Sequence, residues 1–237
     1  MWLASVAACF LASTTPAPVQ PLADGAVLLV RAPTDAAVEA IETSKGTMYR
    51  AGRVSTDTRL PVGYPAPTAP GAIEIKRYPQ VRRATVSGDG AMDRAGASGF
   101  WPLFLHISRR DIAMTAPVET ELRRTNDAGS SSWTMAFLYH SPDDGQAGTD
   151  GRITIEDAEP VTVLALGVRG RVSMRDPFMQ VAELESWLEE HGEHWIADGD
   201  VRVLGYNGPN VRAADQWWEV QLPIRPAARQ SEAPAGS

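Results

Sequence analysis

The feature that most restricts the fold of this chain is an order of elements that occurs twice: two strand-like runs, a helix-like segment and two further strand-like runs. In the first copy, short β-like runs cover Ile73–Tyr78 and Val81–Val86, with Pro79 between them. Apolar residues at positions i, i+3, i+4 and i+7 then predict a helix near 98–109. These residues are Phe100, Leu103, Phe104 and Ile107. The stretch Trp133–His140 is apolar on both alternating faces, which is typical of a central strand.

The second copy has the same order of elements. The stretch Val161–Ser173 contains a pair of strand-like runs interrupted by glycine. Asp176 as an N-cap and Pro177 at the first helical position predict that a helix begins there and extends over about 177–191. Gly192 is the expected C-terminal cap of this helix. Two strand-like runs, "DVRVLGY" and "WWEVQLPI", complete the copy.

A β-α-β-β unit repeated in tandem leaves two half-finished sheets, which can complete each other across a pseudo-two-fold axis and bury a common core. We therefore expect one α+β domain over residues 70–225, with both helices packed on one curved antiparallel sheet. Ser98 is the expected N-cap of the first helix, and Pro102 then lies in its first turn, where a missing amide is tolerated. A cleft between the two copies is the expected ligand site.

The residues that flank this domain differ from it in composition. The segment "MWLASVAACFLAS" is apolar and rich in small residues, so we assign residues 1–25 to a signal segment and expect a periplasmic or extracellular protein. No Lys or Arg precedes the apolar run, and a disordered N-terminus is the alternative interpretation. Residues 26–69 are assigned to an extension whose proline-rich part, 61–71, is a linker or an extended wrap. The tail 226–237 has few apolar residues and is expected to be disordered.

Charge and cysteine content argue against several classes of function. The formal net charge is −7 and the pI is about 5.1, whereas nucleic acids and anionic membranes attract basic surfaces. No apolar run is long enough to span a bilayer. Cys9 is the only cysteine and lies in the leader, so thiolate metal sites and thiol catalysis are not expected. We expect a monomer with no nucleic-acid partner and no stable membrane insertion.

Motifs for catalysis are missing from the sequence. It contains no GxSxG, no HExxH and no phosphate-binding glycine loop, so we expect no enzyme activity from protein side chains alone. His191 and His194 could hold a metal only if the helix continued through Gly192, and a pair at the negative end of the helix dipole is the preferred interpretation. The seven Trp and seven Met residues suit either a well-filled core or a flat apolar ligand, and composition does not separate these cases.

Five short motifs occur in a fixed order along residues 70–225. They are "IEIKRY" (Ile73–Tyr78), "FWPLFLHI" (Phe100–Ile107), "IAMTAPV" (Ile112–Val118), "YNGP" (Tyr206–Pro209) and "EVQLPI" (Glu219–Ile224). In this order they resemble the pattern of the SOUL haem-binding family. The resemblance implies a distorted antiparallel β-barrel built from two pseudo-symmetric β-α-β-β repeats. It also implies non-catalytic binding of haem or a related tetrapyrrole in an apolar cleft between the repeats.

The resemblance places the cofactor-binding residues on or beside these motifs. The predicted set is Arg77, Tyr78, Phe104, His106, Met114, Thr115, Tyr139, His140 and Trp218. Pro117 interrupts the strand ladder and is expected to turn Met114 and Thr115 toward the interior or the cleft. Some family members carry a proposed iron-ligating histidine where this chain has Arg77. His106 and His140 are therefore the remaining candidates for axial ligation.

Two other functions stay open at the level of the sequence. The implied fold also resembles the effector-binding domains of multidrug-sensing transcription regulators, which hold cationic aromatic compounds with a glutamate on the last strand. Glu219, flanked by Trp217 and Trp218, fits that role by position, because a carboxylate among aromatic rings can bind a cation. A structural or protein-interaction module without a ligand is the third interpretation.

Overall fold

A computed structural model describes residues 21–90, 92–124, 131–170, 172 and 178–227 of the 237-residue chain. The helices are α1 (Met92–Arg109) and α2 (Phe178–Glu190). The strands up to the end of the first copy are β1 (Val27–Arg31), β2 (Glu39–Thr43), β3 (Gly46–Ala51), β4 (Val54–Ser55), β5 (Ile73–Tyr78), β6 (Val81–Asp89), β7 (Val118–Arg124) and β8 (Ser131–Leu138). The later strands are β9 (Gly148–Asp150), β10 (Ile153–Ala158), β11 (Val161–Arg169), β12 (Trp195–Ala197), β13 (Val201–Gly205) and β14 (Trp217–Pro226).

Eleven of the described strands form one antiparallel sheet. Its order is β1-β5-β11-β14-β13-β7-β8-β6-β10-β9, and β12 pairs with β14. The other three described strands, β2, β3 and β4, form a small separate sheet. Together with α1 and α2 this is the predicted α+β class. The hydrogen-bonded order begins at β1 and ends at β9, and closure of the sheet into a barrel stays a prediction.

The predicted repeat determines the order of the main sheet. The first copy supplies β5, β6, β7 and β8. The predicted pair of strands within Val161–Ser173 is wrong, because the described residues of that stretch form one strand, β11, and the first strand of the second copy is the preceding β10. The second copy thus supplies β10, β11, β13 and β14. The strands β7 and β13 pair at the centre, and outward from them the order is β8-β6-β10 on one side and β14-β11-β5 on the other. The first strand of each copy therefore pairs with the second strand of the other copy. This exchange confirms that two half-finished sheets complete each other.

The main sheet buries both of its faces. On one face α1 packs against β6 and β8, and α2 packs against β11 and β14. Side chains alternate along β14, so Val220, Leu222 and Ile224 enter the core beneath the helices. Trp217 and Glu219 point to the opposite face, which we call the inner face. The inner face carries the buried charged side chains of the sheet.

Residues 60–72, which we call the strap, run across the inner face without forming a strand. Leu60 and Tyr64 of the strap are buried in the same apolar cluster as Trp217 of β14. The Gly71 amide donates to the carbonyl of Gly167 on β11 at 2.8 Å. The proline-rich stretch of the sequence therefore packs directly on the sheet.

The predicted start of α1 near residue 98 is wrong, because the helix begins at Met92. Ser98 consequently lies inside the helix and is not its N-cap, and Pro102 lies in the helix interior. Gly99 lies within the helix at a site of close packing, where an added Cβ would lie 3.0 Å from the Trp133 ring. Packing on β8 here outweighs the low helix propensity of glycine.

The bounds of α2 agree with the predicted helix within one residue at each end. Its predicted cap residues, Asp176 and Pro177, lie outside the described residues. His191 follows the helix, and its ring donates from Nδ1 to the carbonyl of Trp187 at 2.9 Å, which confirms a helix-terminal role. Neither helix in the described part of the chain is long and apolar enough to cross a lipid bilayer.

Replacing Gly167 with alanine is expected to destabilise the fold, because the new Cβ would lie 2.1 Å from the carbonyl oxygen of Ala69 in the strap. Backbone must move to relieve this contact, and overpacking of this kind costs about 1–3 kcal/mol. Urea denaturation followed by circular dichroism measures the loss of unfolding free energy.

Gly192→Ala is the matched control, since the nearest atom to its Cβ would lie 3.4 Å away. Its expected effect is within about 0.5 kcal/mol, as for an ordinary surface substitution. Equal stability of Gly167→Ala and the wild type would contradict the placement of the strap on β11.

Candidate functional site

A buried carboxylate, Glu219 on β14, lies on the inner face beneath the strap. Its side chain is 0% exposed, and both of its oxygens accept hydrogen bonds. Five donors reach it: the Thr68 amide at 2.6 Å, the Lys76 ammonium at 2.9 Å, the Tyr206 hydroxyl at 2.9 Å, the Gln221 amide at 2.5 Å and the Tyr78 hydroxyl at 3.2 Å. The acceptor capacity of the carboxylate is therefore filled by groups of the protein itself.

The strap closes this site with further hydrogen bonds. Besides donating its amide to Glu219, Thr68 accepts a hydrogen bond at its carbonyl from Nε1 of Trp217 at 2.8 Å. The ammonium group of Lys76 donates to the carbonyl of Ala66 at 2.6 Å. The strap thus supplies polar partners to the charged pair that it covers.

The surroundings of Glu219 keep it ionised. Burial by itself would raise its pKa, but the Lys76 ammonium, the Thr68 amide and Gln221 hold the pKa below its ordinary value. Binding of a cationic aromatic compound would require Glu219 to pair with the ligand, but Lys76 already pairs with this carboxylate. The geometry therefore argues against Glu219 as a ligand-binding residue.

The two tryptophans next to Glu219 in sequence do not enclose its carboxylate, as binding of a cationic aromatic compound would require. Trp217 is buried on the inner face, whereas Trp218 packs against the core beneath the helices. Adjacent residues of a strand point to opposite faces of the sheet. The predicted cluster of both rings around one carboxylate is therefore wrong.

A second network of buried charges lies where β7 meets β13. The Glu119 carboxylate is 2% exposed and accepts hydrogen bonds from Arg83 at 3.0 Å and from Arg202 at 2.6 Å. Arg83 also pairs with Glu121 at 2.7 Å, and Arg202 donates to Gln221 at 2.9 Å, which joins the two networks. The predicted binding set did not include these residues, although a strand with charged side chains at alternate positions, as in "VETEL", indicates a polar face.

The two carboxylates of this second network differ in pKa. Burial opposes the ionisation of Glu119, but the guanidinium groups of Arg202 and Arg83 hold its pKa below the ordinary value. Burial raises the pKa of Glu121, and the negative charge of Glu119 raises it further. Glu121 is therefore the carboxylate of this pair that holds a negative charge less readily.

The residues predicted to bind a tetrapyrrole do not converge on one cleft. Tyr78 lies on the inner face, 1% exposed. Thr115 is buried and donates its hydroxyl to the carbonyl of Leu138 at 2.5 Å. Met114 and Trp218 pack against the core beneath the helices, on the opposite side of the sheet. These side chains serve different parts of the core.

His106 and Tyr139 are brought together, as partners in one hydrogen-bonded chain. His106 is 3% exposed, and its Nε2 lies 2.9 Å from the Tyr139 hydroxyl. Its Nδ1 lies 2.7 Å from Oδ2 of Asp150, which also accepts a hydrogen bond from Arg110 at 2.7 Å. In a neutral ring, Nδ1 donates to the carboxylate and Nε2 accepts from the hydroxyl. Neither nitrogen of His106 is then free to bind iron.

Arg77 and His140 take no part in the hydrogen bonds of His106, and each has its own partners. Arg77 donates from Nε to Asp24 at 3.3 Å and from Nη1 to Thr162 at 3.2 Å. His140 donates from Nδ1 to the carbonyl of Leu60 at 3.0 Å and borders a different surface hollow from His106. No group of three or more His, Cys, Asp or Glu side chains in the described ranges is placed to hold a metal ion.

The solvent-facing side of α1 carries an apolar surface, which we call the outer face of α1. It consists of Trp101, Phe104 and Leu105, which are 58%, 38% and 48% exposed. The Phe104 ring stacks on the ring of Phe100 with centroids 5.9 Å apart, and the Trp101 ring meets Phe104 edge-on at 5.9 Å. Of these three residues, only Phe104 belongs to the predicted binding set. Trp101 and Leu105 are spaced i, i+4 and form a second apolar stripe beside the core stripe, and this spacing was a signal in the sequence for an exposed apolar surface.

The sequence pattern described as SOUL heme-binding protein matches residues 64–223, about two thirds of the chain. No curated protein sequence matches the chain.

Solved structures with the same fold are distant in sequence. The C-terminal domain of EcmrR has a TM-score of 0.54 at 12% identity, over 65% of this chain and 96% of that one. EcmrR in a complex with DNA has a TM-score of 0.52 at 14% identity, over 64% of this chain and 56% of that one. An uncharacterized conserved protein from Listeria innocua has a TM-score of 0.51 at 15% identity, over 68% of this chain and 94% of that one. At these identities the likeness shows the fold alone.

Replacing Lys76 with methionine should lower the unfolding free energy by about 3–5 kcal/mol, because it leaves the Glu219 carboxylate buried without a counter-charge. The double variant Lys76→Met with Glu219→Gln should recover much of this loss, since Glu219 no longer carries a charge and only the partly exposed Glu74, 3.3 Å from Lys76, loses an ion-pair partner. Chemical denaturation of the two variants and the wild type measures the coupling.

Arg50→Met is the control for loss of an ion pair, because Arg50 and its partner Glu39 are 54% and 64% exposed. Breaking an exposed pair changes stability by at most about 1 kcal/mol. A loss for Lys76→Met as small as that for Arg50→Met would show that Glu219 has other means of compensation.

Proposed function

The chain belongs to the SOUL haem-binding protein family, and we propose that it binds haem or a related tetrapyrrole on the outer face of α1. This location differs from the cleft between the repeats that the sequence predicted. The observation that carries the proposal is the exposure of Trp101, Phe104 and Leu105 within little more than one turn of a single helix.

The outer face has the chemistry that a flat aromatic macrocycle requires. Contiguous exposed apolar side chains are typical of interaction sites, and indole and phenyl rings stack on extended π-systems. Arg109 is exposed and follows Leu105 by one helical turn, and no described residue forms an ion pair with it. Its guanidinium group is suited to a propionate carboxylate of the porphyrin.

The cleft between the repeats is a poorer fit for the same ligand. The strap covers its centre, and the cavity that remains there has a volume of about 250 Å³ and carries five carboxylates in its lining. Pockets for drug-sized ligands have volumes of about 300–1,000 Å³ and mainly apolar walls. On α1 a tetrapyrrole meets exposed aromatic side chains, whereas on the inner face it meets a small cavity lined by carboxylates.

Binding in this proposal does not use axial ligation by His106 or His140. Both ring nitrogens of His106 have protein partners. His140 borders a hollow formed by the strap and β3, and this hollow does not include the outer face of α1. The macrocycle is held by stacking and by a propionate contact, and the protein carries its ligand without transforming it. We include in the proposal the exported, monomeric state that the sequence predicted.

Titration with haemin and with iron-free protoporphyrin tests the proposal. Both should bind with closely similar dissociation constants, because the protein contacts do not involve the iron. Quenching of tryptophan fluorescence and porphyrin absorbance report the binding. The double variant Trp101→Ala with Phe104→Ala should weaken both by about tenfold or more, through loss of two stacking rings.

Met179→Ala is the matched control, since Met179 is 75% exposed on α2 and its loss should leave both affinities unchanged. A haemin-specific Soret shift that disappears in His106→Gln or His140→Gln would replace stacking with coordination at that histidine. Lack of saturable binding by either porphyrin would rule out tetrapyrrole binding altogether.

A further inference from the structure

The cavity of about 250 Å³ lies at one end of the inner face, away from α1. The turns after the first strand of each copy border it, through Pro79 and Glu159, and the turn between β12 and β13 borders it through Asp198 and Asp200. Glu121 lies within it, with a side chain 30% exposed. The pseudo-symmetric halves of the fold thus build this cavity together.

Negative charge exceeds positive charge around the cavity. Five carboxylates line it, against the two guanidinium groups of Arg83 and Arg202. These five are Glu119, Glu121, Glu159, Asp198 and Asp200. Arg83 is shared further with Glu156 at 3.0 Å, outside the lining.

Ion pairs do not remove the excess of negative charge. Glu121 pairs with Arg83 at 2.7 Å, but the same guanidinium group also pairs with Glu119 and Glu156, so one positive charge serves three carboxylates. Asp198 and Asp200 pair with Arg225 at 3.6 Å and with Arg123 at 3.0 Å. No described residue forms an ion pair with Glu159, which is exposed at the rim. Burial raises the pKa of Glu121, the charge of Glu119 raises it further, and an ammonium group beside Glu121 would favour its ionised form.

Another part of the wall is apolar. Pro79, Val81, Val161 and Pro223 line the cavity beside the carboxylates. An ammonium group would be attracted to the carboxylates, while methylene groups attached to it would remove the apolar wall from water. The volume lies below the usual range for drug-sized ligands, which favours a small molecule.

We propose that this cavity binds a small aliphatic amine, with its ammonium group between Glu121 and Glu159 and its hydrocarbon part against Val81 and Val161. The site is separate from the outer face of α1 and from Glu219. It therefore does not rest on tetrapyrrole binding, and the two can be tested on the same protein.

Isothermal titration calorimetry with 1,4-diaminobutane at low ionic strength tests the proposal. The diamine should bind saturably with one-to-one stoichiometry, and neutral 1,4-butanediol, of similar length, should not bind. Glu121→Gln and Glu159→Gln should each weaken binding by about tenfold, since each removes one charge-assisted hydrogen bond. Glu159 is exposed, so its variant tests the site even if Glu121→Gln perturbs folding.

Glu190→Gln is the matched control, because it removes one negative charge from exposed α2 and leaves the cavity intact. Unchanged diamine affinity in this variant supports a local site over attraction to an acidic protein. Absence of saturable binding, equal binding of the diol, or an equal loss in Glu190→Gln would each overturn the proposal.

Discussion

The ion pair between Glu219 and Lys76 is the interaction on which the inner face of this protein depends. Two opposite charges without solvent are tolerated only when their remaining hydrogen-bonding positions are also filled. Those positions are filled by the strap, by β5, by β14 and by Tyr206 after β13. Segments more than 140 residues apart in sequence are joined at one carboxylate, so the strap and both copies of the repeat are held in register.

Covering that pair also determines where a ligand can bind. The groove between two halves of a repeated fold is a common place for a ligand. Here Trp217 and the strap, with its buried Tyr64, fill the centre of the groove. A small charged cavity remains at one end, and an apolar surface remains on α1, on the other side of the sheet. The two proposed sites use different chemistry for this reason, charge in the cavity and ring stacking on the helix.

The histidines show that residue type alone does not identify an iron ligand, because hydrogen bonds to other side chains can occupy the ring nitrogens. His106 and Tyr139 are both apt residues for a haem pocket, and they do lie in contact. However, Asp150 takes the second ring nitrogen of His106, and this contact exists only because α1 packs beside the strands that follow it. A carboxylate 44 residues away in sequence thereby turns a candidate iron ligand into part of a buried hydrogen-bonded chain.

The sequence by itself determined the features that depend on local patterning. Apolar spacing located the first helix, although not its start, and the Asp176–Pro177 pair located the second. The order of strand-like and helix-like runs showed the repeat and the α+β class. Five motifs in order identified the family. These inferences succeeded because a helical or strand period is written in adjacent residues.

Tertiary structure decided which side chains are paired or buried and which are left exposed to bind a ligand. The glycines at 99 and 167 suggest local flexibility in sequence, yet each allows two elements to pack closely. In the sequence Glu219 has no visible partner and suits a cationic ligand, whereas in the fold Lys76 and Thr68 donate hydrogen bonds to its carboxylate. Burial and charge pairing join residues far apart in the chain, so no local pattern shows which carboxylates are already paired and which aromatic rings stay exposed.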